Sequence, residues 1–284
     1  MNDLDRTTYM GSGDAAAACG VSKYSTPLDV YLAKRGEPSD VDNFPIRFGT
    51  WNEPLVLAEF ERDRGVTVID RQKHLRHPDY PHIGATVDGI AGGAIVEAKT
   101  TSRRFDELPD DMMVQVQQQL AVHGLHLAFV PVLFSGRELR VFEVEADSDI
   151  QTTILKSMDA LWSRIQDGNP PAPVNLKDVN ALFPHDFGGS LTATPETFEQ
   201  WLQIKKVKET LSDLQDQKSV LEMALKATMG DISLLKDHEG TSLVTWKCSR
   251  GHRRFDSKAF QNAHPELYDE FCTAVSGSRR FLIK

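Results

Sequence analysis

The 284-residue chain is 40% hydrophobic and 26% charged, ordinary values for a globular protein, and contains no run of about 18 apolar residues that would read as a membrane helix. Its formal net charge of −9 argues against a protein that coats nucleic acid non-specifically, because such binding neutralises many phosphates with Lys and Arg; a local basic groove is still compatible. Three scattered cysteines, Cys19, Cys248 and Cys272, give neither a disulfide framework nor a zinc C-x-x-C pair, and are too few for a four-cysteine iron–sulfur cluster.

Residues 1–6 show no basic segment followed by an apolar stretch, so no secretory leader is read and a cytoplasmic location is expected. Two short helices are predicted over 14–19 and 27–35, the second entered through Ser25-Thr26-Pro27 and closed by Gly36. A longer helix is predicted over 47–64, with Trp51, Leu55, Ala58, Phe60 and Arg62 at roughly helical spacing. Strands follow over 66–70, 82–90 and 94–99, the last two forming a hairpin through Gly92-Gly93. A helix over 109–124, a hairpin of strands 128–134 and 139–144, and a helix over 147–166 complete an order that predicts an α/β (α+β) fold, a mixed sheet flanked by helices.

Asn169-Pro-Pro-Ala-Pro173 is the clearest linker, placing a main domain at 1–170 and a loop-rich linker at 171–193. Thr194-Pro195-Glu196 starts a helical arm over 194–230, in which Ile204, Val207, Leu211, Leu214, Lys218, Leu221 and Leu225 recur at steps of three and four, a coiled-coil seam interrupted by one lysine. A small β-containing unit over 231–284 closes the chain. Its residues from Thr241 carry a net charge of about +4, leaving about −13 on the rest.

Strand alternation over 94–99 puts Glu97 and Lys99 on one face and turns Ala98 into the core. If the strand carrying Asp88 pairs beside it, Asp88 and Glu97 converge. Together with the carbonyl of Ala98 they form a hard oxygen site suited to Mg²⁺, with Mn²⁺ as a substitute, which would activate water and neutralise charge on a scissile phosphate. Lys99 would orient that water or stabilise charge on the phosphorus. The pattern D-x(n)-E-x-K is degenerate, and a solvated hairpin face explains it equally well.

Four motifs stand in order: Gly49-Thr-Trp-Asn-Glu53-Pro54, Ala85-Thr-Val-Asp88-Gly89, Glu97-Ala-Lys99-Thr-Thr, and Gln115-Val-Gln117-Gln-Gln-Leu120-Ala-Val-His-Gly124. With Gly11-Ser12-Gly-Asp14-Ala-Ala they resemble the YqaJ-like viral recombinase family, relatives of phage lambda exonuclease, over roughly residues 6–173. The resemblance implies a PD-(D/E)XK nuclease core in which Asp88 and Glu97 bind metal, Lys99 assists the nucleophile and Glu53 serves a second metal or its water. A first-turn carboxylate favoured by the helix dipole also explains Glu53. Gln115 and Gln119 share a helix face and are expected to present amides to the site or to the DNA backbone.

Phosphate binding is implied at Ser12, Thr86, and Arg103 or Arg104, with Arg6 a weaker candidate; helix capping and solvated charge are the alternatives. Two departures from the family pattern stand out, the first of which weakens that pocket. Gly13, not Ser, directly precedes Asp14, and Met112 stands three residues before Gln115 where the family carries Tyr. His74, His77 and His82 are read as a loop packing near the site, not as ligands of a softer metal.

The function expected is a phage-type 5′–3′ exonuclease on linear double-stranded DNA, partnered by a single-strand annealing protein and, by resemblance, trimeric. An endonuclease or nickase using the same site is the alternative enzyme. A DNA-binding or assembly module with a vestigial site is the alternative of another class.

Overall fold

A computed structural model describes residues 5–37, 44–274 and 277–283. The chain divides into two units, Met1–Leu182 and Phe183–Lys284.

The first unit opens with a 3-10 turn, Arg6–Thr8, then α1 (Ser12–Ala18) and α2 (Pro27–Lys34). α2 starts where the sequence reading puts it, because Thr26 and Asp29 cap one another: Asp29 N donates to Thr26 Oγ1 at 3.1 Å and Thr26 N to Asp29 Oδ2 at 3.0 Å. α3 (Phe44–Arg64) is followed by β1 (Lys73–Arg76), β2 (Gly84–Val87), β3 (Gly89–Ala91), β4 (Ala94–Val96) and β5 (Lys99–Thr101). α4 (Asp110–His123), β6 (Leu127–Phe134), β7 (Glu138–Glu145), α5 (Ser148–Asp167) and α6 (Leu176–Leu182) complete it. α4 and α5 end at Gly124 (φ 63°) and Gly168 (φ 67°), left-handed positions that only glycine takes without strain.

β6 is the spine of the sheet. β4 and β5 run parallel to it on one side and β7 antiparallel on the other, while β3 pairs with β4 at the far edge. Val96 faces Phe129 and Lys99 faces Val132, so the register runs on unbroken between β4 and β5 and sets Ala98 opposite Pro131. Glu97 N still donates to Phe129 O at 3.0 Å, but the next bond of a parallel ladder would come from the nitrogen of Pro131, which has no hydrogen. The strand expected over 94–99 is therefore interrupted at Glu97 and Ala98.

Two other strands differ from expectation. The segment 66–70 makes only a bridge, Ile69 to Ile90, because Asp70 (φ 50°) and Gln72 (φ 55°) turn the chain away; β1 forms instead and pairs with β2. The strand expected over 82–90 is divided at Asp88: β2 pairs with β1, and β3 with β4.

Side-chain alternation sorts the sheet between two helices. Ile95, Ala128, Val130, Val132 and Phe134 pack with Val116 and Leu120 of α4. Val96 and Ala91 turn the other way to Leu57 and Phe60 of α3, where Phe60 meets Phe129 at 5.6 Å between ring centroids. Burial of each such side chain stabilises the fold by about 1.5–3 kcal/mol. α3 is longer than expected and buries Val56, Leu57 and Phe60, whereas Trp51 and Leu55, assigned above to its periodic stripe, are 65% and 58% exposed. α1, α2 and α5 enclose a third cluster around Met10, Ile83, Ala85 and Met158. α6 lies in the stretch expected as linker, yet it is packed: Asp178 is buried, accepts from Thr26 Oγ1 at 3.0 Å and from Val174 N at 3.0 Å.

The second unit contains α7 (Pro195–Met229), β8 (Leu234–Lys236) paired with β9 (Ser242–Thr245), α8 (Ser257–Ala263) and α9 (Pro265–Glu270). Thr194 caps α7 by accepting from Thr197 N at 3.2 Å. Ile204, Val207, Leu211, Leu214, Leu221 and Leu225 are all exposed along it. Among the described residues no helix is long and apolar enough to cross a membrane.

Candidate active site

The alternation that turns Ile95 toward α4 turns Glu97 and Lys99 the same way, and sends Ala98 with Val96 toward α3. Glu97 and Lys99 thus meet the helix that carries the glutamines. Lys99 Nζ donates to Glu97 Oε1 at 2.7 Å and to Gln115 Oε1 at 3.0 Å, and Gln115 Nε2 donates to Glu97 Oε1 at 2.7 Å. These three side chains form a closed ring. One turn further along α4, Gln119 Nε2 donates to Glu97 Oε2 at 2.7 Å and to Thr86 O at 3.2 Å.

Gln119 is fully buried, so its expected role as a DNA contact is corrected: it reaches the site but not the surface. Gln118 is equally buried and donates to Gly84 O at 3.1 Å, and Gln117 donates to Glu145 O at 2.7 Å. The run of three glutamines that reads as a polar surface is instead a set of struts that tie α4 to the β2 backbone and to Glu145, where β7 ends.

Asp88 sits where β2 passes into β3. Its Oδ2 accepts from Ala98 N at 2.8 Å, a backbone N–H that points away from β6 and lies beyond the end of the β3–β4 ladder. On the outer side Gln72 Nε2 donates to Glu53 Oε1 at 2.7 Å and approaches Asp88 Oδ1 at 3.4 Å, so Glu53 of α3 is brought to the same place. Burial, and then the negative charges of Glu97 and Glu53, push the Asp88 carboxyl up to about 8, against the opposing pull of Lys99 and the Ala98 N–H. For Lys99, burial alone would lower the ammonium. The ion pair and hydrogen bond with Glu97 outweigh it and hold the amine above its usual range.

This donor set fits a hard divalent cation. A carboxylate has about four lone-pair sites; Glu97 uses three, two on Oε1 and one on Oε2, and Asp88 keeps room on both oxygens. Three converging carboxylates face one lysine, which leaves negative charge for a cation to neutralise. Among the described residues no group of three or more His, Cys, Asp or Glu is arranged to hold a metal ion by itself, so a cation here would need water or the Ala98 carbonyl to complete its shell.

The residues tied to phosphate by resemblance are more scattered. Thr86 is half-buried on β2, its hydroxyl 3.0 Å from His74 Nδ1. Ser12 is the first residue of α1, whose cap is Gly11: Gly11 N donates to Asp14 Oδ2 at 2.8 Å. Ser12 therefore makes no capping bond. Asp14 is held by Lys34 at 2.7 Å, and Arg76 lies over the Tyr9 ring at 3.8 Å from its centroid, cations that the sequence reading did not single out. Arg6 is exposed in the 3-10 turn, with its carbonyl accepting from Lys34 Nζ at 2.8 Å. Arg104 is paired with Glu138, whereas Arg103 is exposed and, with Lys23, lines a cavity of about 270 Å³. The three histidines go separate ways: His74 to Thr86, His77 accepting from Tyr80 N at 3.3 Å, and His82 stacked on Trp162 at 5.6 Å. Gln72 was missed altogether. Its place beside Glu53 and Asp88 comes from a loop conformation that no periodicity announces.

The sequence pattern of the YqaJ-like viral recombinase domain matches residues 4–126. An uncharacterized protein, YqaJ, of Bacillus subtilis (strain 168) is 31% identical over 302 residues, spanning 99% of this chain and 92% of its own. Among solved structures, the alkaline exonuclease LHK-Exo of Laribacter hongkongensis shares the fold at a TM-score of 0.50 and 16% identity, over 58% of this chain and 91% of that one. A phage-related exonuclease of Haemophilus somnus 129PT is a looser likeness, with a TM-score of 0.45 and 11% identity over 56% and 94%. The mixed sheet between helices is thus a PD-(D/E)XK-type fold, and the chain belongs to the YqaJ-like viral recombinase family.

Proposed function

We propose that the protein is a metal-dependent DNA nuclease that hydrolyses phosphodiester bonds, acting as a 5′–3′ exonuclease on linear duplex DNA. The observation that carries this reading is the closed ring of Lys99, Glu97 and Gln115 beside an Asp88 raised to about 8 at a strand break. Burying a lysine against a carboxylate gives weak stability. Adding two further carboxylates to the same place costs stability, and such an arrangement is the mark of chemistry.

Asp88, Glu97 and the Ala98 carbonyl would hold Mg²⁺, or Mn²⁺ in its place, with Glu53 reaching a second ion or its water. The register supports the carbonyl: an extended residue points its N–H and C=O to the same edge, and the Ala98 N–H already points to Asp88. When bound, the cation supplies a Lewis acid that neutralises charge on the scissile phosphate. Lys99, kept protonated by Glu97, stands ready to orient the attacking water and to stabilise the charge that builds on the phosphoryl oxygens. Gln115 fixes the ammonium, and Gln119 fixes the carboxylate it pairs with.

Ser12, Thr86, Arg103, Arg104 and Arg6 are the proposed contacts to DNA phosphates, with Arg104 first leaving Glu138. Trimeric assembly and a single-strand annealing partner belong to the same reading through the family resemblance. Purified protein with Mg²⁺, given covalently closed circular duplexes and linear duplexes with 5′-phosphorylated or dephosphorylated ends, tests it. Loss of linear DNA only is expected; cutting of closed circles would replace exonuclease by endonuclease, and equal inertness of wild type and Lys99→Ala with equal DNA binding would leave a vestigial site.

A further inference from the structure

Gln72 is outside every motif discussed above, yet its side-chain amide stands between two of the carboxylates, 2.7 Å from Glu53 Oε1 and 3.4 Å from Asp88 Oδ1. It does so from a left-handed backbone, φ 55°, two residues after Asp70 at φ 50°. A non-glycine residue held there is strained by about 1–3 kcal/mol, and such strain persists where the surroundings over-determine it. Glycine would relieve that strain and lose the amide.

The geometry points to Gln72 as a positioning residue that holds Glu53 against Asp88 and so completes the cation site; the inference rests on the metal-dependent reading above. Glu53 comes from α3 and Asp88 from the β2–β3 junction, two elements on which no other described hydrogen bond joins these carboxylates. Glu97 is anchored nearby by Lys99, Gln115 and Gln119, so an unrestrained Glu53 would swing out into water, away from that fixed carboxylate. One amide nitrogen shared between Glu53 and Asp88 offsets that tendency and keeps both oxygens at hand.

The test is Mn²⁺ binding to the full-length protein without DNA, followed by the electron paramagnetic resonance of free Mn²⁺, on wild type, Gln72→Gly and Gln72→Ala. Gln72→Gly is expected to weaken Mn²⁺ binding about 10-fold, the usual effect of losing a residue that supports metal ligands. Its melting temperature in chelator should equal or exceed that of wild type, because glycine accepts the left-handed φ. Nuclease activity of the same variant should recover as Mn²⁺ is raised, separating cation affinity from turnover. Unchanged or tighter Mn²⁺ binding in both variants overturns the inference, the tighter case making Gln72 an obstacle to the cation. Absence of Mn²⁺ binding in wild type overturns the nuclease reading with it, an outcome distinct from wild-type binding that the variants share.

Discussion

Replacing Asp88 by Asn should stabilise the cation-free protein and do so in a defined pH window. In the folded chain burial and the charges of Glu97 and Glu53 raise the Asp88 carboxyl from 3.8 to about 8. Below pH 3.8 it is protonated in both states, so it contributes no pH-dependent loss. As pH climbs from 3.8 to about 8 the unfolded chain ionises while the folded one keeps its proton, and stability falls throughout; above about 8 both are ionised and the loss levels off. At about 1.4 kcal/mol per pH unit the gap sets a ceiling of about 6 kcal/mol, which side-chain relaxation and water entry reduce to about 3 kcal/mol. Asn has nearly the same shape, never ionises and still offers Ala98 N–H an acceptor.

Thermal unfolding in chelator, at pH 5 and pH 8.5, reads this directly. For a unit of this size about 3 kcal/mol corresponds to a rise of roughly 6–12 °C at pH 8.5, with a smaller rise at pH 5. Added Mg²⁺ should raise the wild-type midpoint, because it binds the folded state alone, and leave Asp88→Asn unmoved. An Asp88→Asn variant less stable than wild type at pH 8.5 in chelator would refute the reasoning, since Asp88 would then be a structural acceptor for Ala98 and not a charge awaiting its counter-ion.

Lys99→Met keeps the aliphatic stem and removes the ammonium; turnover should fall about 10²–10³-fold with DNA binding retained in a gel-shift assay, and activity within a few-fold of wild type would remove Lys99 from the chemistry. Gln119→Leu leaves Glu97 Oε2 and Thr86 O without their donor, so the urea midpoint should drop by the equivalent of about 1–3 kcal/mol per unpaired group and turnover by about 10-fold. A fully active, fully stable Gln119→Leu would show that Glu97 needs no such support. Gly89→Ala would set a Cβ 2.1 Å from Val68 Cγ1 and 3.3 Å from Ile69 O, an overlap worth about 1–3 kcal/mol of stability. Val68→Ala in the same chain should restore part of it, and absence of any rescue would place the cost elsewhere than in that contact.

Local periodicity gave the facings of the inner residues, while reading them as a site rested on the ordered motifs of the family resemblance. Alternation along 94–99 put Glu97 with Lys99, the four-residue spacing of Gln115 and Gln119 put both amides on one face of α4, and the structure brings these sets together on a single carboxylate. What alternation could not convey was depth. Gln117, Gln118 and Gln119 look like a wetted face because Gln is usually exposed, but each finds a backbone or carboxylate partner more than twenty residues away, and only those distant partners make burial tolerable. The break in the central strand was hidden for a related reason. Pro131 interrupts hydrogen bonding across the register, at Glu97 and Ala98, so its effect appears only once β4, β5 and β6 are aligned.

The place of Asp88 follows from the other edge of the same strand. Glu97 turns its N–H and C=O toward β6 and Ala98 turns its own the other way, past the end of the β3–β4 ladder at Gly89 and Val96; the carboxylate of Asp88 takes Ala98 N–H at 2.8 Å from a chain that is itself changing partners between β1 and β4. The β2–β3 junction holds a raised carboxyl beside a Glu53 that, among the described hydrogen bonds, is restrained through Gln72 alone. Stability would favour separating those charges. Their convergence is intelligible when a cation and a phosphate are the intended occupants, which is why chelator, pH and the Asp88→Asn variant test the function as directly as an assay of cut DNA.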